Sequence, residues 1–95
     1  MVSDLINCSE IKDVEIKTRC MLRNSIIAEL DAINLYENFS KMTDDKEISN
    51  VMRRVANEEK VHVGEFQFLL LKTDPTQRDA LFEGEKEVKE KRGFV

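Results

Sequence analysis

Three ionisable residues of this chain occupy positions where the helical pattern is otherwise apolar. Glu29 follows Leu22 by seven residues, and Glu59 and His62 follow Met52 by seven and ten. Such offsets place residues on one helix face. A carboxylate buried without a partner is strongly unfavourable, so these side chains need a cation or a hydrogen-bond partner. Carboxylate and imidazole ligands suit Fe(II) and also accept Mn(II) and Zn(II), so the residue types indicate a metal site.

The spacing of these residues predicts that their side chains converge. Glu59 and His62 form a Glu-x-x-His motif, whose members share a helix face. If the chain turns near Thr43 and Asp44, Glu29 lies about 14 residues before the turn and the motif begins about 15 residues after it. Antiparallel helices of equal rise then bring the three side chains to nearly the same height.

The predicted site is half of a known arrangement. Di-iron carboxylate bundles take one Glu from each of two helices and a Glu-x-x-His motif from each of the other two. This chain supplies one helix of each kind, and a two-fold axis through the site would supply the rest. Four glutamates from two copies balance the charge of two divalent cations. The sequence therefore predicts a metal centre shared between two chains.

Two long helices and a shorter one should position these residues. We predict helices at residues 9–42, 45–72 and 75–83, with a flexible start over residues 1–8 and a tail or linker over residues 84–95. Ser9 is the expected N-cap of the first helix. Asp44 and Glu47 resemble a capping box that starts the second. Asp74 ends the second helix and caps the third, with Pro75 at its first position.

The predicted fold is all-α, an antiparallel two-helix hairpin with a short C-terminal helix. A hairpin of this size has little core, yet the second helix is apolar on more than one side. Its apolar residues near the C-terminal end are Phe66, Phe68, Leu69, Leu70 and Leu71. An apolar surface of this kind must be covered. We therefore expect an obligate homo-oligomer in which a four-helix bundle forms only on dimerisation.

Composition excludes some partners and compartments. The net charge of −4 gives no reason to expect nucleic acid or an anionic membrane as a partner. No apolar run approaches the roughly 20 residues that span a bilayer. The N-terminus lacks the pattern of a signal peptide, so we expect a cytoplasmic protein. Cys8 and Cys20 match no zinc module, and we expect both to be reduced and incidental thiols.

Residues 26–36 (IIAELDAINLY) and 58–66 (EEKVHVGEF) resemble the encapsulated ferritins, and most closely the ferritin-like domain joined to some archaeal encapsulin shell proteins. The resemblance implies a ferritin-like half-bundle in which Glu29, Glu59 and His62 are iron ligands. By the same resemblance, Tyr36 is a catalytic tyrosine beside the centre and Asp31 belongs to an outer metal-entry site.

The chain departs from this family at the outer metal-entry site. Another Glu and a Trp of the family's archetype are replaced by Ala28 and Leu35. This departure puts the entry site in question and leaves the three predicted iron ligands intact.

The resemblance also implies a function. Encapsulated ferritins are ferroxidases that oxidise Fe(II) to Fe(III), assemble as five dimers in a ring of ten, and deliver iron for storage inside an encapsulin nanocompartment. Two alternatives remain open from the residues alone. One is a non-catalytic site for Zn(II) or Mn(II). The other is a metal-free helical dimerisation module in which Glu29 and His62 form a buried ion pair.

Overall fold

The computed structural model describes residues 7–92, with side chains for residues 7–90, and this part of the chain is entirely helical or irregular. It contains a 3-10 turn at Cys8–Glu10, α1 at Val14–Met42, α2 at Lys46–Thr73, α3 at Pro75–Glu87 and a π turn at Val88–Arg92. The predicted all-α fold, two long helices and a C-terminal one, is confirmed. Within these residues, no helix combines the length and hydropathy needed to cross a membrane.

Helix α1 begins at Val14, so the predicted start at residue 9 is wrong. The carboxylate of Asp13 is the true N-cap and accepts a hydrogen bond from the backbone N–H of Ile16 at 3.0 Å. Ser9 lies instead in the 3-10 turn, where its N–H donates to the side chain of Asn7. Residues 1–6 of the predicted flexible start lie outside the described residues.

The turn between α1 and α2 lies where the sequence placed it, but a different aspartate caps α2. The carboxylate of Asp45, rather than Asp44, accepts hydrogen bonds from the N–H groups of Glu47 and Ile48. Across the turn, the hydroxyl of Ser49 donates to the carbonyl of Ser40 at 2.6 Å. Because Ser40 is buried, this bond satisfies a polar group inside the hairpin.

Helix α3 begins as predicted and ends later. Asp74 caps it by accepting a hydrogen bond from the N–H of Gln77, with Pro75 in the first turn. The predicted end at residue 83 is wrong, because α3 continues through Gly84 to Glu87. A glycine ends a helix readily when it takes a positive φ, and no described glycine does so here.

Two arginines of α1 hold the corner between α2 and α3. Arg19 donates to the carbonyl oxygen of Thr73 at 3.1 Å. Arg23 forms an ion pair with Asp74 and a hydrogen bond with the side chain of Gln77. These contacts join the N-terminal half of α1 to the far end of α2, and so they fix the antiparallel packing of the hairpin.

The hairpin buries very few apolar side chains. Among the described residues, the buried apolar side chains are Ala56 and Leu70, and the buried polar ones are Ser40 and Asp74. Large apolar side chains of α2 remain open to solvent, with Phe68 67% exposed. A single copy therefore leaves uncovered the apolar surface that the sequence indicated.

Cys8 and Cys20 form a disulfide, so the prediction of two reduced thiols is wrong. Their Cα atoms are 5.8 Å apart although the residues are 12 apart in sequence. Ile11 and Asp13 have extended backbones that lead from the 3-10 turn into α1, and the turn thereby lies beside the helix. Sequence spacing alone does not reveal this reversal of the chain.

Candidate metal centre

The structure brings Glu29, Glu59 and His62 together. Glu29 lies on α1, and the Glu-x-x-His pair lies on α2 at the same level of the hairpin. Each residue offers one ligand atom, and these three atoms lie within 4.8 Å of one another. In the part of the chain that the structure describes, this is the one group of three or more acidic, histidine or cysteine side chains arranged to hold a metal ion.

The imidazole of His62 lies between the two carboxylates. Its Nδ1 atom is 2.8 Å from Oε2 of Glu29 and 3.2 Å from Oε1 of Glu59. The carboxylate side chains are 18% exposed, whereas the imidazole is 44% exposed. The expectation that His62 is buried is therefore wrong for one copy, because a single hairpin leaves one side of the cluster open.

The environment of His62 favours its protonated form. The hydrogen bond with Glu29 is the largest cause that raises the pKa of His62 above its usual value. The negative charges of Glu29, Glu59 and Glu65 raise this pKa further, and partial desolvation opposes them. A cation bound at this imidazole nitrogen must displace the proton, since only the neutral imidazole is a metal ligand.

The two arginines of α2 pair away from the cluster. Arg53 donates to the side chain of Asn50 at 2.9 Å, and Arg54 lies 3.7 Å from the carboxylate of Glu58. Neither arginine therefore neutralises the charge of Glu29 or Glu59. An ion pair with an arginine of α2 does not explain why these glutamates face inward. The arrangement can bind a divalent cation through hard oxygen ligands and one imidazole.

Tyr36 and Asp31 do not belong to the three-residue cluster. Tyr36 lies two helical turns beyond Glu29, or about 10 Å along the axis. Its ring contacts Phe39 edge-on, with the ring centroids 6.3 Å apart. Asp31 follows Glu29 by two residues, which turns it to a different side of α1. Their predicted roles, in catalysis and at a metal-entry site, stay predictions.

Glu65 is an acidic neighbour that the Glu-x-x-His motif does not include. Its charge raises the pKa of His62, which it follows by three residues on α2. The same i, i+3 spacing that defines the motif is the sequence signal for this neighbour.

Comparison with known proteins places this geometry in context. The rubrerythrin family profile matches residues 21–93. A ferritin-like–encapsulin shell fusion protein of Pyrococcus furiosus is 52% identical over 74 residues, which are 78% of this chain and 21% of that protein. The encapsulin nanocompartment cargo protein EncC of Myxococcus xanthus is 39% identical over 56 residues, 59% of this chain and 43% of that protein. The chain thus spans less than half the length of either relative.

Among solved structures, the encapsulated ferritin domain from Pyrococcus furiosus superposes with a TM-score of 0.82 at 44% sequence identity. The match covers 93% of this chain and 94% of that chain. The whole helical arrangement, including α3, is therefore shared with that domain.

Proposed function

Because the chain belongs to the rubrerythrin family of ferritin-like proteins, we propose that it is a ferroxidase that oxidises Fe(II) at a di-iron site formed by two copies. The observation that carries the proposal is the convergence of three ligand atoms, from Glu29, Glu59 and His62, within 4.8 Å. The donor set fits iron, since carboxylate oxygen and imidazole nitrogen bind Fe(II) well.

Pairing of two copies follows from the number of donors. One chain offers two carboxylates and one imidazole, whereas di-iron bundles of this kind use four carboxylates and two imidazoles. The open side of the cluster, where His62 is 44% exposed, is the side on which a second copy would add its own three ligands. Two ferrous ions then meet four negative charges, which balances the site.

The protein supplies positioning and charge for the reaction. Glu29 and Glu59 bind the ferrous substrate, and His62 releases its Nδ1 proton when a metal takes that position. Two ferrous ions each lose one electron, and dioxygen takes up two electrons and two protons to leave as hydrogen peroxide. Tyr36 lies about 10 Å along α1 from Glu29, and its proposed role is to donate a hydrogen bond from its hydroxyl to a group near the centre.

The names of two relatives indicate where iron oxidised by this chain would be stored. One relative is fused to an encapsulin shell and another is a nanocompartment cargo protein. We therefore propose that the ferric product is stored inside an encapsulin compartment in the cytoplasm. The shell protein is the expected partner, and five dimers in a ring are the expected assembly.

One observation favours a second candidate function. Glu29 and His62 are joined by a 2.8 Å hydrogen bond between their side chains, which is the ion pair expected of a metal-free dimerisation module. A non-catalytic site for Zn(II) or Mn(II) uses the same ligands without turnover. Oxidation kinetics separate both alternatives from a ferroxidase.

The decisive experiment adds Fe(II) without oxygen to the metal-free protein and then admits air. Ferric absorbance is followed for the wild type, for Glu59→Ala and for Glu58→Ala, while the mass is measured before and after iron. Glu58 is the matched control, because it is exposed on the same helix and pairs with Arg54. We expect rapid oxidation in the wild type and the control, and at least a ten-fold slower rate in Glu59→Ala. Equal slow rates in all three proteins, with no change in mass, would contradict the proposal.

A further inference from the structure

The Cys8–Cys20 disulfide lies on the side of α1 that faces away from the metal centre. Cys20 precedes Glu29 by nine residues, which is two and a half turns of the helix. The two side chains therefore point in opposite directions, and they are about 13 Å apart along the axis. A chemical change at the disulfide can occur without disturbing the iron ligands.

The disulfide is a covalent link between the 3-10 turn and α1. None of the residues Cys8–Glu10 is buried, so packing contributes little to holding the turn against α1. An open groove of about 510 Å³ lies between the turn and the helix. Residues on both sides line it: Asn7, Cys8, Ser9, Lys17, Met21, Asn24 and Ser25.

The Cys8 sulfur accepts a hydrogen bond from α1. The side-chain amide of Asn24 donates to Sγ of Cys8 at 3.2 Å. Lys17 lines the same groove and brings a positive charge to it. The hydrogen bond from Asn24 would also favour negative charge on this sulfur, and a sulfur whose thiolate is stabilised is the better leaving group in thiol–disulfide exchange.

We propose that Cys8–Cys20 is a thiol–disulfide exchange site, which a dithiol reductant opens to release the 3-10 turn from α1. Both cysteines are half-buried, and Cys8 lines the open groove. One thiolate of the reductant attacks Sγ of Cys20, and the bond to Cys8 breaks with Cys8 leaving as a thiolate beside Asn24. The second thiol of the reductant then displaces Cys20. The reductant ends as a disulfide, and both cysteines end as thiols.

Opening the disulfide removes a constraint on the unfolded chain as well as an anchor of the folded one. A disulfide that closes a loop of this length typically raises Tm by about 10 °C in a domain of this size. The reduced protein should therefore melt at a lower temperature. The backbone amides of Glu10 and Ile11, which donate within the 3-10 turn, should lose protection from hydrogen exchange.

The experiment uses metal-free protein before and after dithiothreitol. Mass after alkylation counts the free thiols, and hydrogen exchange followed by mass spectrometry reports on Glu10 and Ile11. We expect no alkylation before the reductant and two alkylated cysteines after it. Exchange at Glu10 and Ile11 should become at least ten-fold faster, with little change around Glu29. The double variant Cys8→Ser/Cys20→Ser should show the fast exchange with or without dithiothreitol.

The role of Asn24 is tested by the rate of reduction. Asn24→Ala should be reduced several-fold more slowly than the wild type. Ser25→Ala is the matched control, because Ser25 lines the same groove while its hydroxyl donates to the carbonyl of Met21. Two free thiols in the protein before any reductant, or unchanged exchange at Glu10 and Ile11 after reduction, would overturn the proposal.

Discussion

At the scale of single residues, His62 connects two carboxylates that would otherwise repel each other. Its Nδ1 lies 2.8 Å from Glu29 and 3.2 Å from Glu59, and the hydrogen bond with Glu29 raises the pKa of His62. When this nitrogen carries a proton, it bonds to Glu29 and holds the ligands close together before a cation arrives. A site arranged in this way loses little energy to reorganisation when a cation replaces the proton.

Replacing one carboxylate by its amide should weaken metal binding without changing the shape of the site. Mn(II), which binds such ligands without being oxidised in the assay, should raise the Tm of the wild type by about 10 °C at a hundred-fold excess over Kd. In Glu29→Gln the rise should fall to less than half, because the site loses a negative ligand. Thermal unfolding at pH 7 measures both.

Glu37→Gln is the matched control for this measurement. Glu37 lies on the same helix and pairs with Lys60 at 3.2 Å, outside the cluster. Its variant should respond to Mn(II) as the wild type does. A full response in Glu29→Gln would show that Mn(II) binds elsewhere.

At the scale of elements, the corner at Asp74 decides how α3 leaves the hairpin. Its N–H donates to the carbonyl of Leu70 at the end of α2, and its carboxylate caps α3. The hydrogen bond from Thr76 is the largest cause that lowers the pKa of Asp74, followed by the N–H of Gln77 and then by Arg23. The buried carboxylate of Asp74 therefore joins the corner between α2 and α3 to Arg23 of α1.

The lowered pKa predicts a pH dependence of stability. Because the folded-state pKa of Asp74 lies below its unfolded value, its contribution to stability is complete above about pH 4 and is lost as the pH falls through the folded-state pKa. Asp74→Asn should be less stable than the wild type at pH 7, and the difference should shrink toward pH 2. Unfolding in urea at pH 7, 4 and 2 measures the change.

Asp79→Asn is the control for the effect of charge on α3. Asp79 is exposed and lies beside Arg78, so its variant should follow the wild type at every pH. A constant difference between Asp74→Asn and the wild type from pH 7 to pH 2 would contradict the assignment.

Local spacing predicted the elements of the hairpin and the convergence of Glu29, Glu59 and His62, because both depend on helical period and equal rise. The start of α1 was missed because Ser9 and Asp13 are both acceptable N-caps, and only the path of the chain decides between them. The disulfide was missed for the same reason, since Cys8 reaches Cys20 only after the chain reverses.

At the scale of the whole molecule, α2 presents an apolar line on the open side of the cluster. Ile48, Val51 and Leu69 are exposed, and their spacing from His62 places them close to one line along the helix. Leu69 lies two turns beyond His62 and is 45% exposed. Under the proposed function, this line is the surface on which a second copy would complete the centre.

A charge on this line should block assembly while leaving the ligands in place. Leu69→Asp should remain at monomer mass after iron is added, and its oxidation rate should fall at least ten-fold, because an unpaired charge buried in the interface is unfavourable. Analytical ultracentrifugation and ferric absorbance measure the two effects.

Asn57→Asp adds the same charge at an exposed position on another side of α2. It should associate and oxidise iron as the wild type does. Rapid oxidation by a monomeric Leu69→Asp would show that one chain suffices.

In the described part of the chain, the buried apolar side chains are Ala56 and Leu70, so under the proposed pairing folding would be sensitive to dilution. If most apolar burial comes from pairing, folding and association become one equilibrium, and its midpoint shifts with the amount of protein present. Scarce chains would then be largely unfolded and open to proteolysis, whereas abundant chains would fold as they meet. Because a chain would then fold only when it pairs, few folded single chains that carry half of a metal site would accumulate in a cell.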